Sequence, residues 1–223
     1  MDNVTWGHNQ IDVVIFDFDG TLVDSENIKK LALFEVVKKF EGSGEIMEEI
    51  LERNVVGSSF TRNEIFLEFA KKLKCDDDPE HLSSRLVDSY TRLCEERISH
   101  AQEIMGAECI LENLHQTSKY LFVSSATPEF TLLRLIELRG WTKFFDGVYG
   151  APSSKFDHLR LIARRCNAEP SRMLLIGDLE SDLKVAQRSG ARFIGIGKDK
   201  SFSEYSAPIM SNLAELSGFL SLD

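Results

Sequence analysis

The residues best placed to do chemistry are the two carboxylates of Asp17-Phe18-Asp19-Gly20-Thr21, which end the apolar run Val13-Val14-Ile15-Phe16. Two positions apart in extended chain, Asp17 and Asp19 point to the same side. Carboxylates at the mouth of an apolar core repel each other and lose hydration, and a cation or hydrogen bonds must offset that cost. Gly20 allows the backbone to turn tightly directly after them. Three later clusters have the same character. Ser124-Ser125-Ala126-Thr127-Pro128 follows the run Tyr120-Leu-Phe-Val123, and Ser153-Ser154-Lys155 follows the brief run Val148-Tyr149. Gly177-Asp178-Leu179-Glu180-Ser181-Asp182 follows Met173-Leu-Leu-Ile176. Carboxylates that converge on one crevice need a divalent cation, and ligands that are all oxygen suit a hard one such as Mg²⁺. A phosphate would add negative charge, which Mg²⁺ and the Lys155 ammonium offset. Ser125 offers a hydroxyl beside helix-terminal N–H groups, a setting suited to a phosphoryl oxygen.

Each group has a plainer role when taken alone. Ser125 is also a good helix N-cap, Lys155 resembles any solvated lysine, and Asp178 and Asp182 suit the first turn of a helix. Their recurrence at four successive strand ends argues for one shared crevice. In an open α/β sheet, ligands gather beyond the carboxyl ends of the strands.

The elements that must position these groups follow from hydrophobic patterning. Short apolar runs bounded by turn residues read as strands buried on both faces, the usual state of a parallel sheet. Strands are expected over 13–16, 120–123, 148–149, 173–176 and 193–196, with a short one near 208–210. Helices are expected over 108–116, 128–139, 156–166, 179–188 and 213–220. Such alternation implies a parallel sheet with right-handed crossovers. Between the first strand and the rest lies a block of different texture. Glu26 to Phe40 is helical in rhythm, with Ser25 as a candidate N-cap and Glu41-Gly-Ser-Gly44 as its end. Further helices are expected over about 45–55, 60–74 and 79–99, with Pro79 in the first turn of the last. The expected fold is therefore α/β, a Rossmann-like parallel sheet core (9–24 and 101–223) with helices on both faces and an inserted all-helical cap domain (25–100).

Composition narrows the classes. The chain has 223 residues, of which 43% are hydrophobic and 28% charged, values typical of a soluble globular protein. A formal net charge of −10 argues against nucleic acid as a partner, which calls for clustered Lys and Arg. The same charge leaves attraction of an anionic substrate to local cations. The four cysteines form no C-x-x-C pair, consistent with free thiols in a reducing compartment. With no apolar leader in residues 1–10 and no run long enough to span a bilayer, the expectation is a cytoplasmic protein that does not engage a membrane. A monomer or a homodimer is expected.

The first motif, with Ser125, Lys155, Asp178 and Asp182 in that order, closely resembles the haloacid-dehalogenase-like phosphohydrolases, and the resemblance covers nearly the whole chain. It implies that Asp17 is the nucleophile and forms an aspartyl-phosphate, with Asp19 as acid and then base. It implies Mg²⁺ held by Asp17, Asp178 and the backbone carbonyl of Asp19, with Asp182 holding the metal's water or coordinating weakly. Ser125 and Lys155 would steady the phosphoryl group, with Thr21 and Ala126 beside it. Asp19 separates this chain from the dehalogenase and phosphonate-cleaving branches, which lack that second acid. The implied activity is hydrolysis of a small phosphorylated metabolite, a phosphoglycolate or a sugar phosphate. The alternatives are a mutase of the β-phosphoglucomutase type and a non-catalytic binding protein of the same fold. Such mutases carry a histidine in the first cap helix where this chain has Lys29, and intact acidic residues count against a silent scaffold. In the cap, Val56-Gly57-Ser-Ser-Phe60-Thr-Arg62 resembles the loop that reaches substrate in helical-cap relatives, with Arg62 a candidate clamp for the leaving group. His100 and His115 have no neighbours that recommend them as ligands.

Overall fold

A computed structural model describes residues 11–54, 61–73, 75–197 and 207–220. It divides into two compact units, one formed by Met1–Ser25 with Ala101–Asp223 and the other by Glu26–His100.

The first unit is built on a six-stranded sheet in the order β3-β2-β1-β4-β5-β6, every pairing parallel. These strands are β1 (Val13–Phe16), β2 (Tyr120–Pro128), β3 (Gly147–Ala151), β4 (Met173–Gly177), β5 (Arg192–Ile196) and β6 (Ile209–Met210). All four residues of β1 are buried, because β1 lies between β2 and β4 with helices over the sheet. The helices of this unit are α5 (Ala107–His115), α6 (Glu129–Leu138), α7 (Lys155–Cys166), α8 (Glu180–Ser189) and α9 (Ala214–Phe219). Val13, Ile15, Phe122 and Leu175 pack with Leu159 and Ile162 of α7 and Leu183 and Ala186 of α8 in one cluster. Alternation along β1 sends Val14 and Phe16 the other way, and both are fully buried too. The chain winds outward from β1 to β3 and returns to β4 on the opposite side of β1. The carboxyl ends of β1 and β4 thus flank the point where strand order reverses, the favoured ligand position of such sheets.

The second unit holds α1 (Glu26–Val37), α2 (Ser43–Asn54), α3 (Arg62–Lys72) and α4 (Pro79–Ser99). Its interior is apolar and aromatic. Phe66 and Tyr90 meet edge to face at 5.6 Å, and Phe40 and Phe69 lie 6.1 Å apart. Thr61 and Glu64 form a reciprocal capping box on α3. Asp78 caps α4 directly ahead of Pro79 at its first position.

Several boundaries depart from the sequence expectation. Helix α1 stops at Val37 rather than Phe40, and Ser43 and Gly44 already belong to α2. Gly42, at φ +68°, makes the break, so the short glycine-containing stretch starts a helix as well as ending one. Strand β2 runs on to Pro128 instead of closing at Val123, and α6 begins at Glu129. Its pairing with β3 shifts register between Ser124 and Pro128, which hydrophobicity cannot reveal in a run of Ser, Ala and Thr. Ser25 directs its hydroxyl to Asp19 at 2.6 Å. No helix among the described residues is long and apolar enough to cross a membrane.

Candidate active site

Strand β1 delivers Asp17 as its next residue, and the Asp17 N–H continues the ladder to the Ile176 carbonyl of β4 at 2.8 Å. Its carboxylate is almost wholly buried. Oδ1 accepts the Phe18 N–H at 2.7 Å, and Oδ2 meets the Lys155 ammonium at 2.8 Å. Lys155 opens α7, whose N-cap is Ser154, and Nζ also donates to Asp182 Oδ1. One lysine therefore bridges two buried carboxylates from different strand ends. Asp178 follows β4 immediately and accepts the Thr21 hydroxyl at 3.1 Å. Asp182 sits in the first turn of α8, and one of its oxygens, Oδ2, is buried without a hydrogen-bond partner among the described residues.

Oxygens of Asp17, Asp178 and Asp182 lie within 4.8 Å of one another. Three carboxylates so close, with one ammonium among them and one carboxylate oxygen unpartnered, fit a hard divalent cation. Two glycines make the approach possible. A Cβ on Gly20, whose φ is +75°, would collide with the Asp178 carboxylate, and one on Gly177 would come within 2.6 Å of Asp182 Oδ2. Burial raises the Asp17 pKa to about 7; the Lys155 ammonium pulls it down, while Asp182 and Asp19 push it up. For Lys155, burial opposes the charged form, but Asp17 and Asp182 outweigh it and raise its pKa above the usual lysine value.

Asp19 has different company. Its Oδ1 accepts from Ser25 Oγ at 2.6 Å. Its Oδ2 accepts from Thr127 Oγ1 at 2.7 Å and from Ser125 Oγ at 3.4 Å. Two aspartates two residues apart thus divide between an ionic cluster and a ring of hydroxyls. Ser125 Oγ also accepts the Thr127 N–H at 3.1 Å, so the irregular end of β2 folds both hydroxyls toward Asp19. Ser124, one residue earlier, turns the opposite way and contacts His158 Nδ1 at 2.9 Å. Ala126 is exposed beyond Ser125, and Thr21 is buried beside Asp178. Thr127 and Ser25 were given no chemical role from sequence. Thr127 stood in the quoted cluster, yet a threonine between alanine and proline carries no signal of its own.

Arg62 lies within the helical unit, where it donates to Thr91 Oγ1 at 3.3 Å and places its guanidinium over the Tyr90 ring at 5.6 Å. Residues 55–60 of the loop that precedes it lie outside the described residues.

A family model described as haloacid dehalogenase-like hydrolase matches residues 14–196. The chain is 24% identical over 194 residues to a phosphoglycolate phosphatase of Vibrio parahaemolyticus, with 83% of each chain covered. It is also 24% identical over 188 residues to a phosphorylated carbohydrates phosphatase of Thermotoga maritima, covering 81% of this chain and 82% of that one. Among solved structures, CbbY from Rhodobacter sphaeroides in complex with phosphate superposes with a TM-score of 0.73 at 20% identity, over 95% of this chain and 99% of that one. The four strand-end clusters and the family match cover the same stretch of sequence, and the chain belongs to the haloacid dehalogenase-like hydrolase family.

Proposed function

We propose that the protein is a Mg²⁺-dependent phosphatase that hydrolyses a small phosphomonoester through an aspartyl-phosphate on Asp17. The observation that carries this reading is the division of labour between Asp17 and Asp19. Asp17 is anchored by Lys155 and by a backbone N–H, the fixed setting that a nucleophile needs. Asp19 lies among three hydroxyls, which orient a carboxyl group without neutralising it, as proton transfer in both directions requires. Phosphatases stand among the relatives, one of them acting on phosphoglycolate and another on phosphorylated carbohydrates by name.

In this mechanism an Asp17 oxygen forms the bond to phosphorus as the ester P–O bond breaks, and Asp19 gives its proton to the leaving oxygen. Asp19 then takes a proton from water, whose oxygen attacks phosphorus and frees Asp17 and inorganic phosphate. Lys155, held between Asp17 and Asp182, offsets charge on the phosphoryl oxygens, and Ser125 donates a hydrogen bond to one of them. Thr21 and the backbone of Ala126 line the same position. Asp17, Asp178 and the Asp19 carbonyl would hold Mg²⁺, with Asp182 supporting it through water. The ion supplies charge neutralisation at the phosphoryl group. Specificity falls to the helical unit, where Arg62 is the candidate for the leaving group.

The test is phosphate release from a panel that includes 2-phosphoglycolate and sugar phosphates. Activity is expected to vanish in EDTA and to return with Mg²⁺. Undiminished turnover in the chelator would overturn the metal assignment, and no release from any ester would overturn the phosphatase reading.

A further inference from the structure

Helix α7 carries a second polar side chain that the mechanism above leaves unused. His158 is 2% exposed, one turn along from Lys155 and on the same face of the helix. Its Nδ1 meets Ser124 Oγ at 2.9 Å, and Ser124 is itself fully buried. The ring lies 5.6 Å from that of Tyr149, which in turn stacks at 6.0 Å on Phe122. Tyr149 is the residue of β3 that pairs with Ser124 of β2. His158 therefore sits beneath the last regular pair of the β2–β3 ladder, where the register shift begins. That shift is what turns Ser125 and Thr127 toward Asp19.

A histidine is a costly filler here. Its Nε2 is buried and makes no well-formed hydrogen bond among the described residues. A buried imidazole with one ring nitrogen poorly satisfied can be replaced by a leucine of similar size at little cost or with a gain in stability. Burial pushes its pKa down although the Gly150 backbone pulls the other way, so the ring stays neutral and spends its polarity on Ser124. The bond to Ser124 is the return on that cost. Successive residues in extended chain point to opposite sides, so Ser124 faces α7 while Ser125 faces the acidic crevice. Fixing the first fixes the second.

We propose that His158 is a positioning residue for phosphoryl transfer. It ties the β2 end that presents Ser125 to the helix that presents Lys155, and so sets the spacing between the two groups that hold the phosphoryl oxygens. This rests on the phosphatase reading above, and it names a residue through which two strand-end loops act as one. Small errors in such spacing are felt strongly, because binding and catalysis both depend on aligned donors.

The experiment compares His158→Leu, Ser124→Ala and the double variant with the native enzyme, in Mg²⁺, on the best phosphomonoester of the panel. The readouts are kcat, KM, the inhibition constant of inorganic phosphate, and Tm. Each single variant is expected to lose roughly tenfold in kcat/KM and to weaken phosphate inhibition by a similar factor. The double variant is expected to lose no more than either single one, since both remove the same link. His158→Asn, whose amide can still reach Ser124, is expected to recover most of the loss. Should His158→Leu fail to fold, Ser124→Ala carries the same comparison with the imidazole in place. Kinetics and phosphate inhibition within twofold of native, with only Tm lowered, would show that His158 merely packs and would overturn the proposal. Losses that multiply in the double variant would overturn it as well. A native enzyme that releases phosphate from nothing would instead strike the phosphatase reading itself.

Discussion

Two aspartates flank the four residues of β1 and meet opposite fates. Asp12, at the amino end, is paired through both carboxylate oxygens with Arg172, at 2.5 Å for Nη2 to Oδ1. Both side chains are nearly half exposed. The hydrogen bonds from Arg172 hold the Asp12 carboxyl below its usual range. Asp17, at the carboxyl end, is buried with Asp178 and Asp182 nearby and its pKa is pushed up to about 7. One strand end has its charges matched at the surface, and the other crowds like charges out of water. The first arrangement supports the fold. The second costs stability, as expected where function sets the charges, and the proposed cation and phosphoryl group would offset that cost.

The largest effect should come from Asp17→Asn. Turnover is expected to fall by roughly 10⁴-fold or more, since an amide cannot serve as the nucleophile. Stability without Mg²⁺ should move the other way. A carboxyl whose folded pKa is raised keeps its proton in the native state while the unfolded chain has lost it, so native stability declines as pH rises from about 4 toward 7. The asparagine variant lacks that decline, and its advantage in Tm should grow across that interval. Thermal melts at several pH values check this, and a Tm gap that stays flat from pH 4 to 8 would refute the electrostatic account.

Asp19→Asn comes next. With its side chain held by the hydroxyls of Ser25 and Thr127, the loss should be kinetic, roughly 10²–10⁴-fold in kcat, with Mg²⁺ affinity preserved. Calorimetric titration with Mg²⁺ beside the rate measurement separates the two, and near-native turnover would mean that Asp19 is not the acid.

A smaller effect is the pH dependence of metal binding. In the proposed metal site Mg²⁺ would compete with the proton on Asp17, so affinity should weaken by about tenfold per pH unit below about 7 and level off above it. A flat affinity between pH 5.5 and 8 would remove Asp17 from the ligand set.

The smallest effect lies at the other strand end. Arg172→Ala should cost little stability, because an exposed ion pair is largely screened by solvent. Asp12 has a depressed carboxyl, so its contribution is present at neutral pH and lost as pH falls below about 4. Denaturant melts at pH 7 and pH 3 should therefore show a gap between native and variant that is smaller at the lower pH, with turnover unaffected at pH 7.

The sequence by itself determined the placement of the acidic groups. Buried runs such as Val13–Phe16 and Met173–Gly177 can only be central strands, so the polar residues that end them must fall at one sheet edge. Gly20 beside Asp19 could be read for a turn, though neither it nor Gly177 could be read for the close approach of carboxylates that each permits. Tertiary structure alone decided how those groups pair. Nothing local says that Asp19 will turn to Ser25 and Thr127, because the first lies six residues on and the second arrives from β2 across a register shift. Nor can sequence tell that Ser124 will face His158 while Ser125 faces the crevice. Hydrophobic periodicity fixes where a strand lies. The facing of a polar residue at its irregular end depends on which neighbours can satisfy it, and those neighbours come from distant parts of the chain.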